Sequence, residues 1–331
     1  MDELPKVRGA QSRHIAVIGA GLMGTVIATL YVHSGYEVVL CDAQPGPLET
    51  FAERASPIAR TLVSGEADVA ALVGRVRKTT SMEEAVNGAF VVQEAVQENL
   101  PLKQEIFASL DRYCGPDVIL ATNTSSFLLT DICKDVENRK RVLGVHFITP
   151  AHIIKAVELI YADFTPAETI EWGRAFIDSI GHTAVACRER PGFLVNRLQY
   201  ALLAEAYRIL DDNYASAEDI DAAIRLSIGP RLALWGPLMT QDLVASKATS
   251  LSAMTYLHEQ TGDPSFNPPN VLKDVVAKGA IGAAVGRGWY EWPDRYADIV
   301  TQRDTQLVDL LNWLSARNAH RAVRAGADSG R

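Results

Sequence analysis

The chain is poor in cysteine: four in 331 residues, Cys41, Cys114, Cys133 and Cys187, with no C-x-x-C pair among them. That excludes a disulfide-stapled scaffold and a cysteine-built metal module, and free thiols in a reducing cytoplasm are expected. Positive charge is also short. Lys+Arg 32 against Asp+Glu 40 gives a formal charge of -8, so there is no field to attract nucleic acid or an anionic membrane surface. No apolar run is long enough to span a bilayer: Ile15 to Leu30 falls short of the roughly 20 residues required and is broken by Gly19, Gly21 and Gly24. The polar start from Met1 to Arg13, with Asp2 and Glu3, lacks the basic opening of a secretory leader, which points to a cytoplasmic protein. Internal repeats and low-complexity segments are missing too.

What is present is an ordinary globular composition, 48% hydrophobic and 22% charged, in a chain long enough for about two domains. His14–Ile18 is a short apolar run ending at Gly19. Leu22–Val32 has the length and composition of a helix stopped by Ser34-Gly35, and Glu37–Cys41 is a second strand. Strand, glycine turn, helix, strand is the opening of a parallel α/β unit. Further strands are expected at Arg75–Thr79, Ala89–Gln93, Asp117–Thr122, Arg141–Phe147, Val157–Ile160 and Thr183–Cys187. The alternation stops near Arg188. From Phe193 to Asp211 apolar residues recur at helical spacing, and Ser216-Ala-Glu-Asp219 starts another helix through Leu226. The fold class is therefore α/β: a Rossmann-type, doubly wound, mostly parallel sheet over residues 1–188, then an all-α C-terminal domain over 189–331 that ends in a fraying Ala/Arg/Gly/Ser tail of about a dozen residues.

Gly19-Ala-Gly21-Leu22-Met23-Gly24 fits G-x-G-x-x-G in the required place, directly after a strand and opening a helix. The first glycine permits the tight turn, the second lets a diphosphate approach the backbone, and the third allows close helix packing. The helix N-terminus adds unpaired N–H groups. Asp42, at the tip of the second strand, is placed to accept hydrogen bonds from an adenosine ribose and to repel a 2′-phosphate, which favours NAD over NADP. FAD would use the same fingerprint, so the turn alone does not name the chemistry.

Eight ordered segments go further: the glycine turn, Glu94-Ala-Val-Gln-Glu98-Asn99, Asn123-Thr-Ser125-Ser126, Gly144-Val-His146-Phe147, Val157-Glu158-Leu-Ile, Pro191-Gly-Phe-Leu-Val-Asn196-Arg197, Ala217-Glu-Asp-Ile-Asp221 and Gly286-Arg-Gly-Trp-Tyr290. From Ile15 to about Trp292 the sequence resembles the 3-hydroxyacyl-CoA dehydrogenase superfamily. The resemblance implies an NAD-dependent oxidoreductase that turns an L-3-hydroxy group into a 3-oxo group. Such a reaction needs a base for the hydroxyl proton, and His146, at the C-terminal end of a strand, is the candidate. Glu158 would fix its tautomer. By resemblance Ser125 and Asn196 hydrogen-bond the reacting oxygen and the neighbouring carbonyl, and Glu98 and Lys103 match positions that contact the nicotinamide half of NAD. Homodimerisation through the helical domain is implied as well. No metal is expected.

Three departures bear on the substrate. Thioester enzymes usually read His-Phe-Phe-Asn-Pro, whereas here Thr149 replaces the amide in His146-Phe-Ile-Thr149-Pro150. Pro47 to Gly74 carries only Arg54 and Arg60 against Glu49, Glu53, Glu66 and Asp68, poor ground for CoA phosphates. Arg231-Leu-Ala-Leu-Trp-Gly236-Pro237 is closer to the L-gulonate 3-dehydrogenase (lambda-crystallin) and carnitine dehydrogenase branch. A small free 3-hydroxy carboxylate is therefore the favoured substrate, with Arg231 on its carboxylate. A short-chain 3-hydroxyacyl-CoA is the alternative, and a non-catalytic, crystallin-like NADH-binding protein is the rival from another class.

Overall fold

A computed structural model describes the backbone of residues 14–328 and the side chains through residue 317; the polar start from Met1 to Arg13 lies outside the described residues. The chain divides into two compact units, Met1–Ala204 and Glu205–Arg331. All eight expected strands form: β1 His14–Ile18, β2 Glu37–Cys41, β3 Val76–Thr79, β4 Ala89–Glu94, β5 Ile119–Thr122, β6 Val142–Phe147, β7 Ala156–Tyr161 and β8 Thr183–Arg188. Their order is β3-β2-β1-β4-β5-β6-β7-β8. Every pairing is parallel except β6 with β7. The order reverses between β1 and β4, which opens a crevice at the carboxyl ends of these strands.

Burial explains the sheet. β1, β4, β5 and β6 are buried along their whole length, and such strands read as continuous apolar runs. The helix α1, Leu22–His33, is buried from Gly24 to Val32, so it too is apolar nearly all round. Ile15, Val17, Ile27 and Leu40 are fully enclosed in the same cluster; truncating one to alanine is expected to cost roughly 2–5 kcal/mol.

Boundaries shift for identifiable reasons. Arg141 belongs to a 3-10 turn, Arg139–Arg141, ahead of β6, and Val118 closes a turn onto the Gly115 carbonyl ahead of β5. The helix expected from Phe193 begins at Val195, since Gly192 and Phe193 both take positive φ, 80° and 48°. This is α2, Val195–Asp211, and the division between the two units falls within it.

The second unit is helical, as expected. Ser216 caps α3, Ala217–Ala223, its Oγ accepting the Asp219 N–H. The helix then widens into a π turn over Ile224–Ile228 before α4, Gly229–Val244, because Pro230 has no N–H for the preceding turn. The expected fraying tail is corrected: the last helix, Tyr296–Asp328, runs through most of it, and residues 329–331 lie outside the described residues.

Candidate active site

The glycine turn meets the steric demands of a dinucleotide site. Gly19 has φ +102° and a Cβ there would lie 2.8 Å from the Ala95 carbonyl oxygen. A Cβ on Gly24 would lie 1.7 Å from the Gly19 carbonyl oxygen. Around Gly21, in contrast, no atom of the described residues lies within 4 Å of that position, which leaves room for a diphosphate to approach the backbone. Gly21 caps α1 without a side-chain bond, so N–H groups of the first turn stay available. Leu22 is exposed there, and Met23 is half-buried, its Sδ 3.5 Å from Thr149 Oγ1. Asp42 is fixed by the Ala20 N–H at 2.8 Å and the Gln44 N–H at 2.9 Å, one on each oxygen. Both oxygens keep lone-pair capacity for ribose hydroxyls.

Four strands away, the antiparallel register of β6 and β7 sets His146 directly opposite Glu158. Directly opposed residues point to the same face. His146 Nδ1 is 2.7 Å from Glu158 Oε2, and a carboxylate only accepts, so the proton sits on Nδ1. Nε2 is left as the basic nitrogen, without a hydrogen bond among the described residues. Glu158 is almost wholly buried, and Oε1 accepts the N–H groups of Leu194 at 3.0 Å and Val195 at 2.7 Å. Burial alone would raise its pKa; the His146 contact and the two N–H groups outweigh it and hold the carboxyl below its usual range. The positive φ at Gly192 and Phe193 is what turns these N–H groups onto the carboxylate. Phe193 is buried, its ring 6.3 Å from the imidazole.

Ser125 follows β5, and Asn196 Nδ2 donates to its backbone carbonyl at 3.0 Å, so the two expected polar residues are brought together. The Ser125 loop is held from behind. Glu98 Oε1 accepts from Thr124 Oγ1 at 2.6 Å and from the N–H groups of Ser125 at 3.1 Å and Ser126 at 3.0 Å. Lys103 lies differently from a cofactor contact. Its side chain is 1% exposed, with Nζ 2.7 Å from Glu94 Oε1 and 3.3 Å from Glu98 Oε2, so it acts on the loop through carboxylates. Glu94, itself fully buried, also accepts from Thr122 Oγ1 at 2.6 Å. Sequence reasoning missed Glu94 and Asn123, whose Oδ1 accepts the Phe147 N–H beside His146 at 2.8 Å; both lie inside the segments quoted above.

Arg231 lies in the second unit, near the start of α4, its Nε donating to the Ser227 carbonyl at 3.1 Å. A second feature of that unit was not foreseen. The buried carboxylate of Asp242 accepts from Lys247 Nζ, the N–H groups of Trp289 and Tyr290, both at 3.1 Å, and Trp292 Nε1 at 2.8 Å. The Gly286–Tyr290 segment thus wraps an ion pair. The cysteines are all free, and burial pushes the thiols of Cys41, Cys114 and Cys187 up to about 11 and that of Cys133 to about 12. No group of metal-ligating side chains occurs among the described residues.

Residues 14–190 match the NAD binding domain of 3-hydroxyacyl-CoA dehydrogenase, and residues 192–292 match its C-terminal domain. A probable 3-hydroxybutyryl-CoA dehydrogenase of Bacillus subtilis is 34% identical, covering 86% of this chain and 98% of the relative. The 5-formyl-3-hydroxy-2-methylpyridine 4-carboxylate 5-dehydrogenase of Mesorhizobium japonicum is 31% identical over 92% of this chain and 99% of its own. Among solved structures, a 3-hydroxyacyl-CoA dehydrogenase of Archaeoglobus fulgidus matches with a TM-score of 0.78 at 31% identity, covering 92% of this chain and 99% of that one.

Proposed function

Since the chain belongs to the 3-hydroxyacyl-CoA dehydrogenase family, we propose that it is an NAD-dependent dehydrogenase that oxidises the 3-hydroxyl of a small free carboxylate, L-gulonate-like in size, with His146 as general base. The observation that carries the chemistry is the His146–Glu158 pair, which puts the proton on Nδ1 and leaves Nε2 to take the hydroxyl proton. Glu158 orients the ring and stabilises the imidazolium formed in the step. NAD, when bound on the glycine turn, supplies the hydride acceptor. Ser125 and Asn196 hold the reacting oxygen and the neighbouring carbonyl, Glu98 and Lys103 shape the loop on the nicotinamide side, and Thr149, 3.5 Å from Met23 of the cofactor turn, contacts the substrate.

The substrate reading draws on the two arginines of the Pro47–Gly74 insertion. Arg60 is engaged by Glu66 at 2.7 Å, and Arg54 is held at the glycine turn by Gly21, Thr25 and Pro47, on the dinucleotide side, so the insertion offers no arginine dedicated to CoA phosphates. The Mesorhizobium relative, named for a pyridine carboxylate, supports a free acid. Arg231 is the assigned partner of that carboxylate; its terminal nitrogens carry no hydrogen bond among the described residues. The second reading, 3-hydroxybutyryl-CoA oxidation, is favoured by the name of the Bacillus relative. NADH formation with free 3-hydroxy acids set against 3-hydroxybutyryl-CoA separates the two, and turnover of the thioester alone overturns the free-acid reading. Tight NADH binding with no turnover of either substrate revives a structural, crystallin-like role.

A cytoplasmic homodimer completes the proposal. Within the second unit Leu226, Leu238 and Tyr256 are exposed while few apolar side chains are buried, which favours a second copy as cover. Light scattering of the purified protein tests it, and a monomer would sink it. No helix among the described residues is long and apolar enough to cross a membrane.

A further inference from the structure

Arg54 has no place in the chemistry above, yet its guanidinium reaches across from the helix Phe51–Ala59 to the glycine turn. Nη1 donates to the Gly21 carbonyl at 3.2 Å and to Thr25 Oγ1, and Nη2 donates to the Pro47 carbonyl. All three acceptors are neutral, and no carboxylate lies within ion-pair distance among the described residues. The position is electrostatically unusual. Gly21 and Thr25 belong to the first turn of α1, whose N-terminal pole is positive and which has neither an acidic residue nor a side-chain cap there. A cation added to that pole is unfavourable until an anion arrives, and beside it the space around Gly21 is open. Three of the five guanidinium N–H groups are used, leaving Nε–H and one Nη2–H.

We propose that Arg54 is a diphosphate-binding residue of the NAD site, pinned by Gly21, Thr25 and Pro47 so that its remaining N–H pair meets the phosphate on the adenosine side. Pro47 follows Asp42 in the chain, and Asp42 marks the ribose end of the site, which sets the side. The arginine would then add a charge-assisted fork to the neutral N–H groups of the turn. It concerns the dinucleotide alone, so its test is separate from that of the substrate reading.

The test is ligand binding to the full-length protein, followed by NADH fluorescence and by competition with ADP-ribose and adenosine. Arg54→Gln is expected to weaken NADH and ADP-ribose by the same factor, about tenfold, and to leave adenosine unchanged. Arg54→Lys, which keeps the charge without the fork, falls between. Added salt should weaken binding to the wild type more steeply than to Arg54→Gln. Unchanged NADH affinity overturns the assignment, as does an equal loss for adenosine, which would make Arg54 only a holder of the turn. A loss confined to NADPH would overturn it too, by placing Arg54 on the 2′-phosphate. If Arg54→Gln does not fold, phenylglyoxal labelling of the wild type decides: ADP-ribose should shield Arg54 and adenosine should not, and labelling indifferent to ADP-ribose refutes the idea.

Discussion

Glu158 binds His146 through one carboxylate oxygen and the backbone of Leu194 and Val195 through the other, so a single side chain ties the imidazole to the segment that carries Asn196. Loss of the charge should therefore disturb both. Glu158→Gln keeps the shape but can present its NH2 to Nδ1, reversing the tautomer. A fall in kcat of about 10²–10⁴-fold with little change in NADH affinity is expected in steady-state and fluorescence assays.

The same carboxylate has a consequence for acid stability. Its pKa is lower in the folded protein than in the unfolded chain, so its contribution is complete above the ordinary carboxylate range and is lost as pH falls through the folded value. Thermal unfolding of Glu158→Gln should accordingly lose less stability than the wild type between about pH 5 and the folded pKa. Parallel acid limbs for the two proteins would count against this.

His146→Ala removes the base and leaves the glycine turn untouched. NADH binding should persist within about twofold while turnover drops by about 10²–10⁴-fold. Equal loss of binding and turnover would move His146 from proton transfer to cofactor support.

The three glycines of the turn should respond differently to a methyl group. Gly24→Ala drives its Cβ into the Gly19 carbonyl, so it should lower Tm and abolish NADH binding together. Gly21→Ala meets no protein atom within 4 Å, so the fold should be nearly unaffected while the diphosphate is kept off the backbone. A stable Gly21→Ala protein with unchanged NADH affinity would contradict the assigned place of the phosphates.

These features differ in how far the sequence discloses them. Strands such as Ile15–Ile18 and Val91–Gln93 are legible because a doubly covered parallel strand is apolar throughout, and the glycine turn because its spacing is local. The pairing of His146 with Glu158 is expected from the family resemblance and their nearness in the chain; that they face each other follows from the antiparallel register of β6 and β7, which spacing does not encode. Lys103 reads as a surface lysine near a helix start, and its burial between Glu94 and Glu98 comes from packing across three segments. Asp242 was invisible for a related reason: its backbone donors, Trp289 and Tyr290, lie 47 and 48 residues further along.

Asp242 supports the last expectation. Its carboxyl is buried, which alone would raise its pKa, but Lys247, Trp292 and the Trp289 and Tyr290 N–H groups hold it low. Removing one partner leaves a charge uncompensated in the interior of the second unit, whereas removing both does not. Lys247→Met alone should destabilise by about 3–5 kcal/mol in denaturant unfolding, and Asp242→Leu with Lys247→Met should recover part of that loss. Gly288→Ala should resemble the single variant, because its Cβ would lie 2.4 Å from the same carboxylate. If the single and double variants unfold at the same denaturant concentration, the ion pair is not what the Gly286–Tyr290 segment is built around.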